Sequence, residues 1–342
     1  MEQTMINHLH ESLLTYYHNH KRILPWRENK DPYRIWVSEI MLQQTQVKTV
    51  IPYYERFLNK FPTVQSFAEA KEEDYLKLWE GLGYYSRVKN MHKAAVIIVS
   101  QYQGNIPDNS KELAKLPGIG SYTAGAIASI AFDEITAAVD GNVHRVISRY
   151  FGLRMTKDEL IPMMKDYLPN HHIGDFNQAL MEIGATVCLP KAEPLCTDCP
   201  LNKYCIASLK NITDELPVKA EKLRRTQESY TLLIVTDGNN YFLRQRPAKG
   251  LLSSLWEFPM FKGEYGNISP LLNDLGIKSF SSKKLPEITH SFTHKDWLIT
   301  AYYVKTEDKL LENQDYLIVS KNDLMTIYTL SSLFKNYQEY YL

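Results

Sequence analysis

Long apolar runs are missing from this chain: the longest, such as Ala94 to Val99, fall far short of the roughly 20 residues that a membrane helix needs, which excludes a helical span. The opening residues, Met1 to Leu14, are acidic and amphipathic and lack a secretory signal pattern, so a cytoplasmic location is expected. There is no excess charge of either sign. With 39 basic and 39 acidic residues the net charge is +0, which excludes whole-molecule attraction to a polyanion and leaves local basic clusters and backbone amides for any nucleic-acid contact. Internal repeats and low-complexity segments are also absent, and cysteine is missing from all of the chain except one short segment.

What is present fits two globular domains. The 342 residues, 44% of them hydrophobic, exceed what one small core needs. From Met5 to about Ser208 apolar residues recur at three and four, as in Trp36, Ile40, Met41 and Val47, predicting an all-helical domain over 1–210. Prolines at 25, 52, 62, 107, 117, 162 and 169 punctuate it, mostly at or before helix starts. A polar, basic stretch at 211–226 reads as a linker. Beyond it, over 227–342, the β-branched run Ser229 to Thr236, a DGNN turn at Asp237 to Asn240, and strands at Tyr241 to Arg246 and Trp297 to Val304 predict an α+β domain. Helices are expected at Leu271 to Gly276 and Ser331 to Tyr340.

Chemistry concentrates in LPGIGSYTAGAIASIAFDEITAAVDGNVHR, which begins at Leu116. A tight turn through Gly118 and Gly120 opens into a small-residue helix, so backbone N–H groups and a helix N-terminus face outward as an anion seat. Further on, the apolar run Ile135 to Val139 ends at Asp140. Upstream, RIWVSEIMLQQTQV carries one acid, Glu39, between apolar flanks, which predicts a partly dry carboxyl with a raised pKa. Two carboxylates flanking a glycosidic bond are the equipment for cleaving a sugar from its leaving group, and a nucleobase is such a leaving group. The plainer alternatives are a salt-bridged Glu39 and a helix-capping Asp140. The four cysteines, Cys188, Cys196, Cys199 and Cys205, suit a metal centre better than two disulfides, with iron–sulfur and zinc both open on spacing.

Together, LPGIG, Asp140 and the cysteine cluster after GATVC resemble the helix-hairpin-helix superfamily of DNA glycosylases, in its iron–sulfur branch. Within that branch LPWR, WVSEIMLQQTQV, GLGYYSR, VDGNV and FNQALMEIGA are similar to the adenine DNA glycosylase (MutY) family rather than to endonuclease III, and the similarity covers essentially the whole chain. The resemblance implies a multi-domain protein: an all-α helix-hairpin-helix glycosylase domain with an iron–sulfur cluster loop at 188–205, followed by an α+β Nudix-like domain. It implies excision of adenine opposite 8-oxoguanine or guanine in double-stranded DNA, by a monomer associated with the nucleoid.

Residue roles come from the same resemblance. Glu39 would protonate the flipped adenine, Asp140 would stabilise the oxocarbenium, Tyr122 would hydrogen-bond near the sugar, and Asn142 would position the carboxylates. Trp26, Arg27, Leu42 and Gln178 would line the adenine pocket, while Gln44 and Tyr84 would wedge into the duplex. Tyr122 stands where endonuclease III relatives have the lysine that forms a Schiff base, so no strand cleavage is expected. The four cysteines would hold a [4Fe-4S] cluster, although seven residues instead of the family's six separate Cys188 from Cys196. Apart from the resemblance, Lys191 and Lys203 near the cysteines have two readings, contact with DNA phosphates or plain solvation, the commoner state of a loop lysine. In the second domain Phe292, Thr293 and His294 match a lesion-reading Phe-Ser-His loop, with threonine replacing serine. No glutamate-rich helix follows Gly250, so Nudix hydrolysis is not expected. The competing readings are an endonuclease III-like enzyme for oxidised pyrimidines, an inactive lesion binder and a Nudix pyrophosphatase.

Overall fold

The computed structural model describes residues 2–190, 193–218 and 224–342. They form two compact units: Met1–Ala70 with Ser86–Glu221, and Lys71–Tyr85 with Lys222–Leu342. No helix among the described residues is long and apolar enough to cross a membrane.

The first unit is helical from Glu2–His20 to Ile206–Leu209. Four of its helices carry Glu39, Tyr122, Asn142 and Gln178. Pro32–Leu42 starts where its composition says it should: Asp31 accepts from the backbone N–H of Tyr33 and Arg34, and Pro32 occupies the first turn, where no N–H is needed. Its other end is closed by Arg87, whose guanidinium donates to the carbonyls of Ile40, Met41 and Gln43. Ser121–Phe132 follows the glycine turn and ends in a left-handed Asp133. Gly141–Phe151 is capped by Asp140 and closed by left-handed Gly152. Ile173–Thr186 packs its apolar stripe, Phe176, Ala179, Leu180 and Ile183, into a core shared with Leu9, Leu13 and Tyr17 of the first helix and with Val143, Val146, Ile147 and Tyr150. Pro52 departs from the expected pattern, lying inside the helix Val47–Lys60.

The stretch expected as a linker is partly structure. Ile212 N–H donates to Ala207, and Leu216 is buried with its carbonyl on Arg149 Nε at 3.0 Å, which holds this part to the first unit. Thr226, at its far end, already opens a strand. The grouping of Lys71–Tyr85 with the second unit follows from its bonds there: Lys77 Nζ to Tyr328 O, Glu80 Oε1 from Leu330 N, and Tyr85 Oη to Leu330 O.

Among the described residues the second unit is built on a mixed sheet of eight strands: β1 (Thr226–Thr236), β2 (Asn240–Gln245), β3 (Trp256–Glu257), β4 (Met260–Lys262), β5 (Phe280–Lys284), β6 (Ile288–Ser291), β7 (Lys295–Thr306) and β8 (Leu317–Ser320). Strand β1 pairs in parallel with β7 from Thr226↔Lys295 to Thr236↔Lys305, and antiparallel with β2 and β4. Both faces of β1 are covered: Leu232 and Ile234 enter one core, Leu233 and Val235 another. That is why it reads as a continuous apolar run. The DGNN turn forms with Asp237 Oδ1 accepting from the N–H groups of Asn239 and Asn240. The expected flanking helices appear as Ser269–Asp274 and as a 3₁₀ segment, Ser332–Tyr340.

Candidate active site

Three helix ends and one helix face converge in the first unit. Glu39 projects from Pro32–Leu42 and is 6% exposed. Tyr122, in the first turn of Ser121–Phe132, donates its hydroxyl to Glu39 Oε2 at 2.7 Å. Burial pushes the Glu39 carboxyl up to about 7; the Tyr122 hydrogen bond opposes this, the Asp140 charge adds to it, and the Arg27 charge works against it. Burial first, then the charges of Glu39 and Asp140, raises the Tyr122 phenol well above its ordinary range, so it stays a hydrogen-bond donor.

Asp140 is the N-cap of Gly141–Phe151, so the capping alternative raised by the sequence is what its geometry shows, and the cap also fixes its orientation. Oδ1 accepts from Val143 N at 2.7 Å and Oδ2 from Asn142 Nδ2 at 2.9 Å. Asn142 is held in turn by Arg145, which donates to Asn142 Oδ1 at 2.9 Å, Gly184 O at 2.7 Å and Cys188 O at 2.8 Å. The close approach depends on Gly184, where an added Cβ would lie 2.5 Å from that of Asn142.

Around the acids, Arg27 donates to Glu182 Oε2 at 2.8 Å, and Arg22 closes on the same carboxylate at 2.5 and 3.0 Å. Burial would raise Glu182, but the two guanidinium groups hold it below its usual value. Trp26 is buried, edge-on to Tyr54. Leu42 and Gln178 are half-buried. Gln178, Met181 and Glu182 are spaced at three and four on Ile173–Thr186, and Met181 Sδ lies 3.7 Å from the Tyr122 hydroxyl. Gln44 is exposed in a left-handed turn, φ 57°. Gly118 is left-handed, φ 78°, and a Cβ there would lie 2.8 Å from Asn90 Cβ. Gly120 caps Ser121–Phe132 without a side-chain acceptor, leaving the first-turn N–H groups without a side-chain cap.

The remaining candidates stand elsewhere. Tyr84 belongs to the second unit, half-exposed with φ 46°. Phe292, Thr293 and His294 form the β6–β7 hairpin tip, closed by Phe292 N to Lys295 O at 2.7 Å. Phe292 packs between His290 and Trp297, whereas Thr293 and His294 are exposed. The hairpin is braced from β1 by Glu228, which accepts from Lys295 Nζ at 2.8 Å and Trp297 Nε1 at 3.2 Å. Glu257 is buried and clamped by Arg244 and Arg246, and turns rather than a helix follow Gly250.

All four cysteines line one cavity with Arg149, Leu195 and Thr213, and Arg149 donates to Cys188 Sγ at 3.2 Å. Among the described residues no set of three acids, histidines or cysteines is gathered tightly around one point. Burial pushes the Cys199 thiol up to about 12 and raises Cys205. Lys203 lies over the Tyr204 ring at 5.1 Å; Lys191 lies outside the described residues.

Sequence reasoning missed Glu182, Asn177 and Arg145. A carboxylate, an amide and a guanidinium on otherwise apolar helix faces were the available signals.

Comparison with known proteins first gives the class. The family described as "HhH-GPD superfamily base excision DNA repair protein" matches residues 37–166, and a NUDIX domain matches 230–339. A thermostable thymine-DNA glycosylase structure, 29% identical, superposes with a TM-score of 0.58 over 61% of this chain and 99% of its own. An endonuclease III–DNA complex, 22% identical with a TM-score of 0.54 over 62% of this chain and 98% of its own, shares the fold. The fold is thus that of a base excision DNA glycosylase with a Nudix-like second domain.

Among curated relatives, the adenine DNA glycosylase of Buchnera aphidicola (Acyrthosiphon pisum) is 38% identical, covering 82% of each chain. That of Rattus norvegicus is 36% identical over 83% of this chain and 67% of its own. That of Homo sapiens is 35% identical over 83% and 64%. The chain belongs to the adenine DNA glycosylase family.

Proposed function

We propose that this chain removes adenine from duplex DNA where it stands opposite 8-oxoguanine, and less selectively guanine, and leaves the abasic site uncleaved. The observation that supports this reading best is a buried Glu39, its carboxyl raised to about 7 chiefly by burial, in one site with Asp140, whose side chain is held by the Val143 N–H and Asn142. Glu39 can give a proton near neutral pH while Asp140, fixed by its cap, faces the sugar, the division of labour that glycosidic cleavage needs.

In this mechanism Glu39 protonates a ring nitrogen of the flipped base, so the glycosidic electrons leave with a neutral purine. Tyr122 fixes which oxygen of Glu39 keeps the proton. Asp140 faces the growing positive charge on the sugar, and Asn142 and the Val143 N–H keep its carboxylate aimed. Glu39, now ionised, takes a proton from the attacking water. Arg27, held by Glu182, Trp26, Leu42 and Gln178 surround the base, with Gln44 and Tyr84 meeting the opened duplex. The backbone N–H groups of Gly118, Gly120 and the first turn of Ser121–Phe132 receive a phosphate. No amine stands at position 122 to form an imine. Thr293 and His294, exposed on their hairpin, read the opposing base.

Cys188, Cys196, Cys199 and Cys205 would hold a [4Fe-4S] cluster. Four thiols on one cavity beside the Arg149 guanidinium suit it, and its cationic irons would favour the thiolates that burial opposes. The bound cluster would supply structural closure of the 188–205 loop.

A single-turnover assay across a panel of opposing bases tests this reading. Adenine release fastest opposite 8-oxoguanine, with strand breaks only after alkali, is expected. Borohydride trapping of the enzyme on DNA as the main product would overturn the monofunctional mechanism.

A further inference from the structure

Asp140 is delivered by an irregular segment, 133–140, that belongs to no sheet. Such a segment must find partners for its buried N–H and C=O groups one by one. At its start, Glu134 accepts from both the backbone N–H and the hydroxyl of Ser110, at 2.6 and 2.7 Å, tying it to the first hairpin helix, Ser110–Leu113. In its middle it lies directly on Ser121–Phe132: a Cβ at Gly125 would sit 2.3 Å from Ala137 O. Ala138 and Val139, the last residues before the acid, are buried.

One side chain answers both backbone polarities of this segment. Asn177, 0% exposed on Ile173–Thr186, donates from Nδ2 to Thr136 O at 2.9 Å, and its Oδ1 accepts from Ala138 N at 3.3 Å. Its second N–H goes to Ser129 Oγ at 2.9 Å, and Ser129 is anchored to Ala126 O. Both amide hydrogens and the amide oxygen are thereby used. Gly174 lets the two helices meet here, since a Cβ would lie 2.7 Å from Ser129 O. A carboxamide presents a donor and an acceptor side by side as a neighbouring strand would; a carboxylate offers no donor, and an alkyl group neither.

We infer that Asn177 is a positioning residue of the reaction: its buried amide takes the place of a strand partner and sets the register in which 136–139 presents Asp140. The inference rests on the reading of Asp140 as the group facing the sugar cation. The catalytic consequence is geometric. Misplacement of a reacting group by about 1 Å is enough to cost about 100-fold in rate.

The test compares Asn177→Asp with Ser129→Ala in the full chain. Asn177→Asp keeps size and acceptor but removes both donors, placing a carboxylate against Thr136 O. Ser129→Ala removes only the leg to the helix and leaves the segment bonded. Single-turnover adenine release, the duplex dissociation constant, the thermal midpoint and amide exchange over 134–140 are measured for each.

Expected for Asn177→Asp is a rate loss approaching 100-fold with duplex affinity changed by no more than about twofold, and faster exchange at 136–140. Ser129→Ala should lower the midpoint while keeping the rate. Equal rate losses in the two variants at matched midpoints, or wild-type exchange at 136–140 in Asn177→Asp, would overturn the inference. Failure of the wild-type chain to release adenine would overturn the function reading instead, and the exchange measurement would still decide what Asn177 holds.

Discussion

Glu39 joins burial, charge and chemistry in one residue. Its carboxyl is raised to about 7, chiefly by burial, so the acid form is populated below that pH and lost above it. Single-turnover base release should therefore decline as pH rises through about 7, and Glu39→Gln should abolish release at every pH while leaving duplex affinity intact; turnover in that variant would remove Glu39 from its role. The same shift has a thermodynamic side. A carboxyl raised in the folded chain binds protons there that the unfolded chain has released, so its stabilising contribution is present below the unfolded value near 4.5 and is lost as pH rises to about 7. The stability of Glu39→Gln relative to the native chain should thus grow from pH 5 to pH 8, by up to about 3 kcal/mol, measurable as a diverging pair of thermal midpoints.

Glycine decides how closely the site's helices meet. Gly125→Ala would force a methyl group against Ala137 O, and Gly184→Ala would force one against Asn142; each should destabilise by about 1–3 kcal/mol, read by denaturant unfolding. Gly184→Ala should also slow base release, because Asn142 must move and with it the grip on Asp140. The sequence made some elements plain and left others dark, for physical reasons. Helix periodicity, the LPGIG turn and the strand β1 are local patterns, and Glu39, Tyr122 and Asp140 stand out by the chemistry their types allow. Glu182 and Asn177 owe their importance to partners 39 to 160 residues away, and Arg145 ties its near neighbour Asn142 to Gly184, 39 residues on. No window along the chain contains both halves of such a bond. The boundary between the units falls inside the stretch read as a linker, and what the sequence did not show there is that Leu216 is buried and its carbonyl is bonded to Arg149, 67 residues away.

On the proposed reading the two units divide the labour across the whole chain, with Glu39 and Asp140 in one and the hairpin Phe292 to His294 in the other. Purified protein should contain iron and acid-labile sulfide, about four of each per chain, and Cys199→Ser should lose both; zinc in their place would overturn the cluster assignment. The second unit should hydrolyse no nucleotide with magnesium, and a magnesium-dependent release of pyrophosphate or monophosphate would restore the hydrolase reading. Glu257 gives this a further turn. It is the buried acid of that unit among the described residues, and Arg244 and Arg246 already neutralise it. The counter-ion is therefore tethered to the same polypeptide and cannot be diluted away or stripped by a chelator. This unit's integrity should be indifferent to the divalent-ion content of its surroundings, with its buried charge balanced from within the fold.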